Sequence, residues 1–264
     1  MTEDRCDVII KTWWNDLAFL SYALRFLEKN WQQPDSKIIV LANRNCSPVL
    51  ESWGFPRDRF IYRYVDPWPD GNQFQCYLTL LADHFSDAEM FAFFDSDTML
   101  VRPMTVNSRT WCGDPIIYAE PGSPDLSEDR ALAHKLWFPI MKYWVGLEPQ
   151  ADYMFAFPFI YWADTLRAVR RLITNKTGQG LLESLYSSVP FHPANFVTHP
   201  FRFCEHNVIS FWAATHELDR YHVRAIGEIT EEERAHWPVK SYHSWTQWNT
   251  QTQCELESLL LATT

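Results

Sequence analysis

The sequence predicts an α/β fold, a Rossmann-like parallel sheet with helices on both faces and an elaborated C-terminal half. Three observations support it. Short apolar runs rich in β-branched and aromatic residues alternate with helical periodicity over the first ~100 residues, which is the pattern of βαβ units. The run Met90 to Phe94 is apolar throughout instead of alternating with polar residues, as expected for a strand covered on both faces. Hydrophobic residues make up 47% and aromatic residues 16% of the 264, enough to build a sizeable core.

The elements follow in order. Asp7 to Thr12 (D-V-I-I-K-T) reads as the first strand, and Leu17, Leu20, Leu24, Leu27 and Trp31, at spacings of three and four, as one stripe of an amphipathic helix. Lys37 to Ala42 is the second strand, Pro48 to Trp53 a short helix, and Arg59 to Val65 the third strand. Asp66 to Gly71 (D-P-W-P-D-G) is a turn by its Pro and Gly content, and Phe74 to Phe85 a helix. Met90 to Phe94 (M-F-A-F-F) is a fully apolar strand.

The pattern loosens after Pro103. Pro115 to Glu120 reads as a strand, Pro121 to Asp129 as a polar loop, Ala131 to Val145 as helical, and Tyr153 to Tyr161 as a buried strand and turn. Ala163 to Ile173 is a helix, Asn175 to Gly180 a loop, Glu205 to Thr215 a helix, and Gln253 to Leu261 a short amphipathic one. The division is one domain over 1–264, with residues 1–103 as a binding half and 104–264 as an addition to the sheet.

Composition narrows the function. The chain carries 33 Asp and Glu against 23 Lys and Arg, a formal charge of −10, which disfavours non-specific phosphate-backbone binding. G-x-G-x-x-G and G-x-x-x-x-G-K-[ST] are both missing, so a nucleotide would be held by other means. The six cysteines form no C-x-x-C pair and are expected to be reduced thiols. The first residues, M-T-E-D-R-C-D, lack the features of a secretory signal, and no run of ~18 apolar residues occurs, so a soluble cytoplasmic protein without a transmembrane segment is expected.

Asp95 and Asp97 follow the apolar strand directly, in F-F-D-S-D-T-M-L. In extended backbone residues i and i+2 share a side, so both carboxylates converge at a strand's carboxyl end, where open α/β sheets place their ligands. Two hard oxygen donors suit Mg²⁺ or Mn²⁺, which accept few protein carboxylates and complete their shells with water and phosphate. A chain this acidic contains about four acidic-x-acidic triplets by chance. The position at a strand end, not the spacing, carries the signal.

In these residues the sequence resembles the nucleotide-sugar glycosyltransferases of the GT-A fold, whose D-x-D motif ends a strand in this way. The resemblance includes D-V-I-I-K-T as first strand, G-N-Q-F-Q-C-Y-L-T-L as the helix before the D-x-D strand, and Y-H-S-W near the C-terminus. It is closest to a group of bacterial and viral proteins with a D-S-D-T core, a later S-E-x-x-like segment and a closing H-S-W. The later segment here is F-C-E-H-N, with Cys204 in place of Ser, and the pre-D-x-D helix carries Asn72, Cys76 and Thr79 where that group is richer in Trp, Gln and Lys.

The resemblance implies a metal-dependent transferase that moves a sugar from a nucleotide-sugar donor to a hydroxyl acceptor, a glycan first and a modified nucleobase second. It implies that Asp97 binds Mn²⁺ or Mg²⁺ directly, that Asp95 binds the metal or the donor ribose, and that His243 is the third metal ligand. Thr12 and Trp13 match where the fold holds the nucleotide base or ribose, with one of Trp13 and Trp14 expected in the core. Ser96 counts with the donor contacts, and Lys240 is set to meet the diphosphate. Glu205, a carboxylate within R-F-C-E-H-N-V-I-S-F-W, is costly there without a task or a partner and is the candidate general base, with Asp125 and Asp152 as weaker alternatives. Pro121 to Asp129 would form a lid over the donor. The competing functions are a metal-dependent phosphohydrolase or nuclease, and a Trp-rich carbohydrate-binding module on a β-sandwich.

Overall fold

The computed structural model describes residues 5–66, 71–122, 128–154, 157–186, 203–242 and 248–262. A five-stranded sheet forms its centre, in the order β3 (Phe60–Val65), β2 (Ile38–Asn43), β1 (Cys6–Thr12), β4 (Met90–Asp95) and β9 (Phe159–Trp162). The first four strands are parallel, and β9 closes the edge antiparallel to β4, with Ala92 opposite Ile160. This is the α/β sheet that the apolar runs predicted. All seven residues of β1 are buried, because both faces of this central strand are covered.

Alternation along the strands divides the core. Val8, Ile10, Ala92 and Phe94 pack toward α1 (Leu17–Asn30) and α2 (Ser47–Ser52), with Leu20, Leu24 and Leu27 of α1 supplying the expected stripe. Ile9, Phe91 and Phe93 point to the opposite face, against α3 (Gly71–Leu80), α4 (Glu128–Val145), α5 (Ala163–Thr177), α6 (Leu181–Tyr186) and α7 (Glu205–His216). Strand β9, from the second half of the chain, belongs to the same sheet as the first half.

Several boundaries differ from those expected. The strand and turn expected over Tyr153 to Tyr161 come in the order turn, then strand: Asp152, the last residue of β8 (Ala151–Asp152), accepts the Met154 N–H at 3.0 Å, and β9 starts at Phe159. The polar loop is shorter, since Pro121 ends β7 (Asp114–Pro121) and Glu128 and Asp129 already lie in α4; residues 123–127 lie outside the described residues. Helix α5 continues through Asn175 to Thr177 and stops at Gly178, whose φ of 67° supplies the left-handed C-cap. The turn at 67–70 also falls outside the described residues.

The second half adds short strands that period-based reading did not find. Strand β7 pairs with β6 (Thr110–Trp111), β8 and the parallel β10 (His222–Ala225). After α8 (Glu231–Ala235), β11 (Val239–Ser241) pairs antiparallel with β5 (Thr98–Leu100), and α9 (Thr250–Ala262) packs on α1 through Leu256. The β5–β11 pair matters most at the sheet's carboxyl edge: it carries the C-terminal segment to the acidic turn, where the Tyr242 N–H donates to the Asp97 carbonyl at 2.8 Å. No described helix is long and apolar enough to cross a membrane.

Phe93 is 1% exposed and lies with Tyr161 and His206 directly beneath the carboxyl end of β4. Phe93→Ala should cost about 3–5 kcal/mol through lost burial and the cavity left behind, read as a lower urea midpoint at unchanged m-value.

Candidate active site

Strand β4 ends on Asp95, and Ser96 and Asp97 turn into β5. Asp95 shares its face with Phe91 and Phe93, so its carboxylate points to the side of α3 and α7. In the neighbouring strand its Cα partner is Lys11, the penultimate residue of β1. The Lys11 side chain is 2% exposed; its Nζ donates to Glu205 Oε1 at 2.9 Å and to Thr79 Oγ1 at 2.7 Å. The other oxygen of Glu205 accepts the Cys76 thiol at 3.0 Å. Glu205 opens α7, where a negative charge is also favoured by the helix dipole.

On the α1 side, the turn from Trp14 to Asp16 that succeeds β1 brings Asp16 to the same place. Asp16 is buried and accepts the Ser96 hydroxyl at 3.0 Å. Three aspartates, Asp16, Asp95 and Asp97, therefore crowd the end of β4, with the ammonium of Lys11 on one flank.

The charges respond to that crowding. Burial pushes the Asp95 carboxyl up to about 7; Lys11 opposes the rise, and the charges of Asp97, Glu205 and Asp16 add to it. Burial likewise raises Asp16, against its hydrogen bond from Ser96 and with the help of Asp97. Glu205 goes the other way: burial, the largest single effect, would raise it, but Lys11, His206 and the Cys76 thiol together overcome burial and hold it down at about 2. Burial also works against the charge of Lys11, and Glu205 and Asp95 together overcome it, so its pKa stands above the ordinary value. The site holds a firm ion pair, Lys11 with Glu205, beside a carboxylate that titrates near neutral pH.

The sequence-selected residues fall into three sets. Asp95, Asp97 and Glu205 meet at one end of the sheet, and Thr12, 6% exposed, ends β1 beside them. Trp13 and Trp14 are 41% and 53% exposed, so neither lies in the core as one of them was expected to. The reason is local: β1 stops at Thr12, and the next turn carries both indoles out to the rim. A second set is engaged elsewhere. Ser96 is buried and gives its hydroxyl to Asp16. Lys240, on β11, pairs with Glu255 of α9 and lies 5.1 Å from the Tyr242 ring centroid. Asp152 is 1% exposed and serves its turn. His243 and Asp125 form the third set, outside the described residues, although Tyr242, next in sequence to His243, is tied to Asp97.

Sequence reasoning passed over Lys11, Asp16, Cys76 and Thr79 as members of the site. A signal for Lys11 was present: a lysine inside a strand buried on both faces requires a partner. Cys76 and Thr79 of α3 are both engaged by the Lys11–Glu205 pair.

A divalent cation suits this donor set. The carboxylates are hard oxygen ligands, and their mutual repulsion is what a bound cation would relieve. Among the described residues, no group of three or more His, Cys, Asp and Glu side chains is arranged to hold a metal by itself.

No family model matches the sequence, and no curated protein matches it. Solved structures do. The chain superposes on the galactosyltransferase LgtC in complex with donor and acceptor sugar analogues, with a TM-score of 0.52 at 12% identity, covering 97% of this chain and 95% of that one. An active-site mutant of LgtC, with glutamate in place of a glutamine, is similar at a TM-score of 0.49, 12% identity, and coverage of 96% and 95%. At this identity the likeness establishes the fold: the sheet and its helices are those of a GT-A Rossmann-like protein. The β-sandwich expected of a carbohydrate-binding module is overturned by the parallel sheet.

Asp95 has a consequence for stability. Its pKa rises on folding from an ordinary 3.8 to about 7, so between those values the folded chain holds a proton that the unfolded chain has released. Its contribution to stability therefore falls as pH rises across that window. Asp95→Asn should be more stable than the parent at pH 8, with the difference shrinking toward pH 5, in urea midpoints measured across the range. A gap that widens on acidification contradicts the assignment.

Proposed function

We propose that the protein is a metal-dependent glycosyltransferase that uses a nucleotide-sugar donor and a hydroxyl acceptor, most simply a glycan. The single observation that carries this reading is the convergence of Asp95 and Asp97 at the carboxyl end of a central parallel strand, in a fold that superposes on a galactosyltransferase over nearly its whole length. The neighbour was solved with donor and acceptor sugar analogues, and its chemistry supports the same class for this chain.

Asp95 and Asp97 would hold Mn²⁺ or Mg²⁺, with His243 as third ligand. The cation, when bound, supplies Lewis-acid neutralisation of the departing diphosphate. The remaining work belongs to the chain. Thr12 and the exposed indole of Trp13 stand at the end of β1, the strand that pairs with β4 up to Asp95, and a ring at this position would offer a stacking surface for the base. Asp16 holds Ser96 and thereby the turn between the two aspartates, so this serine acts in this reading by fixing the motif and not by touching donor. Lys240 reaches the diphosphate only by leaving Glu255.

Glu205 is not the proton acceptor in this mechanism. Both of its oxygens are engaged, and a carboxylate held at about 2 is too weak a base for efficient proton abstraction near neutral pH.

Mn²⁺ together with a nucleoside diphosphate should raise the melting temperature by several degrees, since a hundredfold excess over Kd is worth about 2.7 kcal/mol. Asp97→Ala should abolish both that shift and nucleotide-sugar turnover. Retention of the full metal-dependent shift in Asp97→Ala rejects the site.

A further inference from the structure

The metal-and-donor chemistry gives no task to the most deeply buried charge at the site. Lys11 lies at the end of the central strand, 2% exposed, where an ammonium is costly without partners. Two side chains supply them, Thr79 of α3 and Glu205 of α7, and the Cys76 thiol of α3 donates to the other oxygen of Glu205. A chain needing only a filled core here would be served as well by an apolar side chain, because buried ion pairs replaced by apolar groups of similar volume are commonly no less stable. What an apolar residue cannot do is place a fixed positive charge beside the acidic turn. Lys11 does so by register, as the Cα partner of Asp95 with its side chain on the same face.

We propose that Lys11 is the positioning residue of this site: anchored by Glu205 and Thr79, its ammonium fixes a positive charge at the register position beside Asp95 and so sets the field in which the acidic pair receives a cation–diphosphate, and Glu205 serves as the anchor of Lys11 instead of as a base. The inference rests on the transferase reading and assigns that site a residue outside the aspartate pair. Cys76 and Thr79 of α3 complete the hydrogen bonding of the pair.

Two variants of the full chain test it. In Lys11→Met/Glu205→Gln both charges go together, so no buried ion is stranded and the urea midpoint should stay near that of the parent. The turnover number for nucleotide-sugar hydrolysis should nevertheless fall at least a hundredfold, and Mn²⁺ in the presence of a nucleoside diphosphate should bind at least tenfold more weakly by electron paramagnetic resonance. A purely structural pair would move neither. In Glu205→Gln alone, Lys11 keeps its charge, Thr79 and an amide oxygen as partners, and kcat should drop less than tenfold with KM for the donor little changed; a general base replaced in this way loses a hundredfold or more. Parent-like turnover in the folded double variant overturns the proposal, as does an inactive Glu205→Gln. A parent that neither turns over nucleotide sugars nor shows the Mn²⁺–diphosphate thermal shift removes the transferase reading itself and this inference with it, whereas an active parent beside an equally active double variant removes this inference alone.

Discussion

Burial of the Lys11 ammonium at the carboxyl end of the central strand is the constraint on which the rest of the site depends. Lys11 is the register partner of Asp95, the last residue of β4, and Glu205 at the start of α7 supplies its counter-charge. Coulomb interactions at this range in a partly buried site are several-fold stronger than in water. The balance differs between two carboxylates of the set: Lys11 and its other partners overcome burial at Glu205 and hold it down at about 2, whereas at Asp95 burial prevails over Lys11 and pushes the carboxyl up to about 7. Such divergent pKa values within one cluster of side chains are characteristic of sites arranged for chemistry more than for stability.

The architecture serves this arrangement from several directions. The parallel order of β1 and β4 brings both carboxyl ends to one edge, and helices α3 and α7 cover the same face as Asp95. On the opposite side the turn after β1 delivers Asp16 to Ser96, which braces the residue between the two aspartates. From the far end of the chain, β11 pairs with β5 and fixes Tyr242 to the Asp97 carbonyl. Tyr242 is thus tethered to the acidic turn, although its sequence separation from that turn exceeds a hundred residues.

Much of the first half was legible because strands buried on both faces leave an unmistakable apolar run and because α1 shows a regular stripe. The D-x-D pair was legible for the same reason: an abrupt change from M-F-A-F-F to two aspartates marks a strand end. The second half was less so. Strands β5, β6, β8 and β11 have two or three residues each and no period to detect, so pairings between distant segments, such as β5 with β11, leave no local trace. Both indoles at Trp13 and Trp14 are exposed because the position where a strand stops, not hydrophobicity, decides which way the next residues face. The partnership of Lys11 with Glu205 joins residues 194 apart and becomes visible only in three dimensions.

The central claim is that a cation is held at the end of β4 by Asp95 and Asp97 against a departing diphosphate. Anomalous diffraction at the manganese edge, from crystals soaked with Mn²⁺ and a nucleoside diphosphate, tests it most directly. A clamped cation predicts one strong anomalous peak within about 2.0–2.4 Å of carboxylate oxygens from the pair and of the diphosphate. Ordered nucleotide elsewhere on the molecule, with no anomalous signal at Asp95 and Asp97, would contradict it.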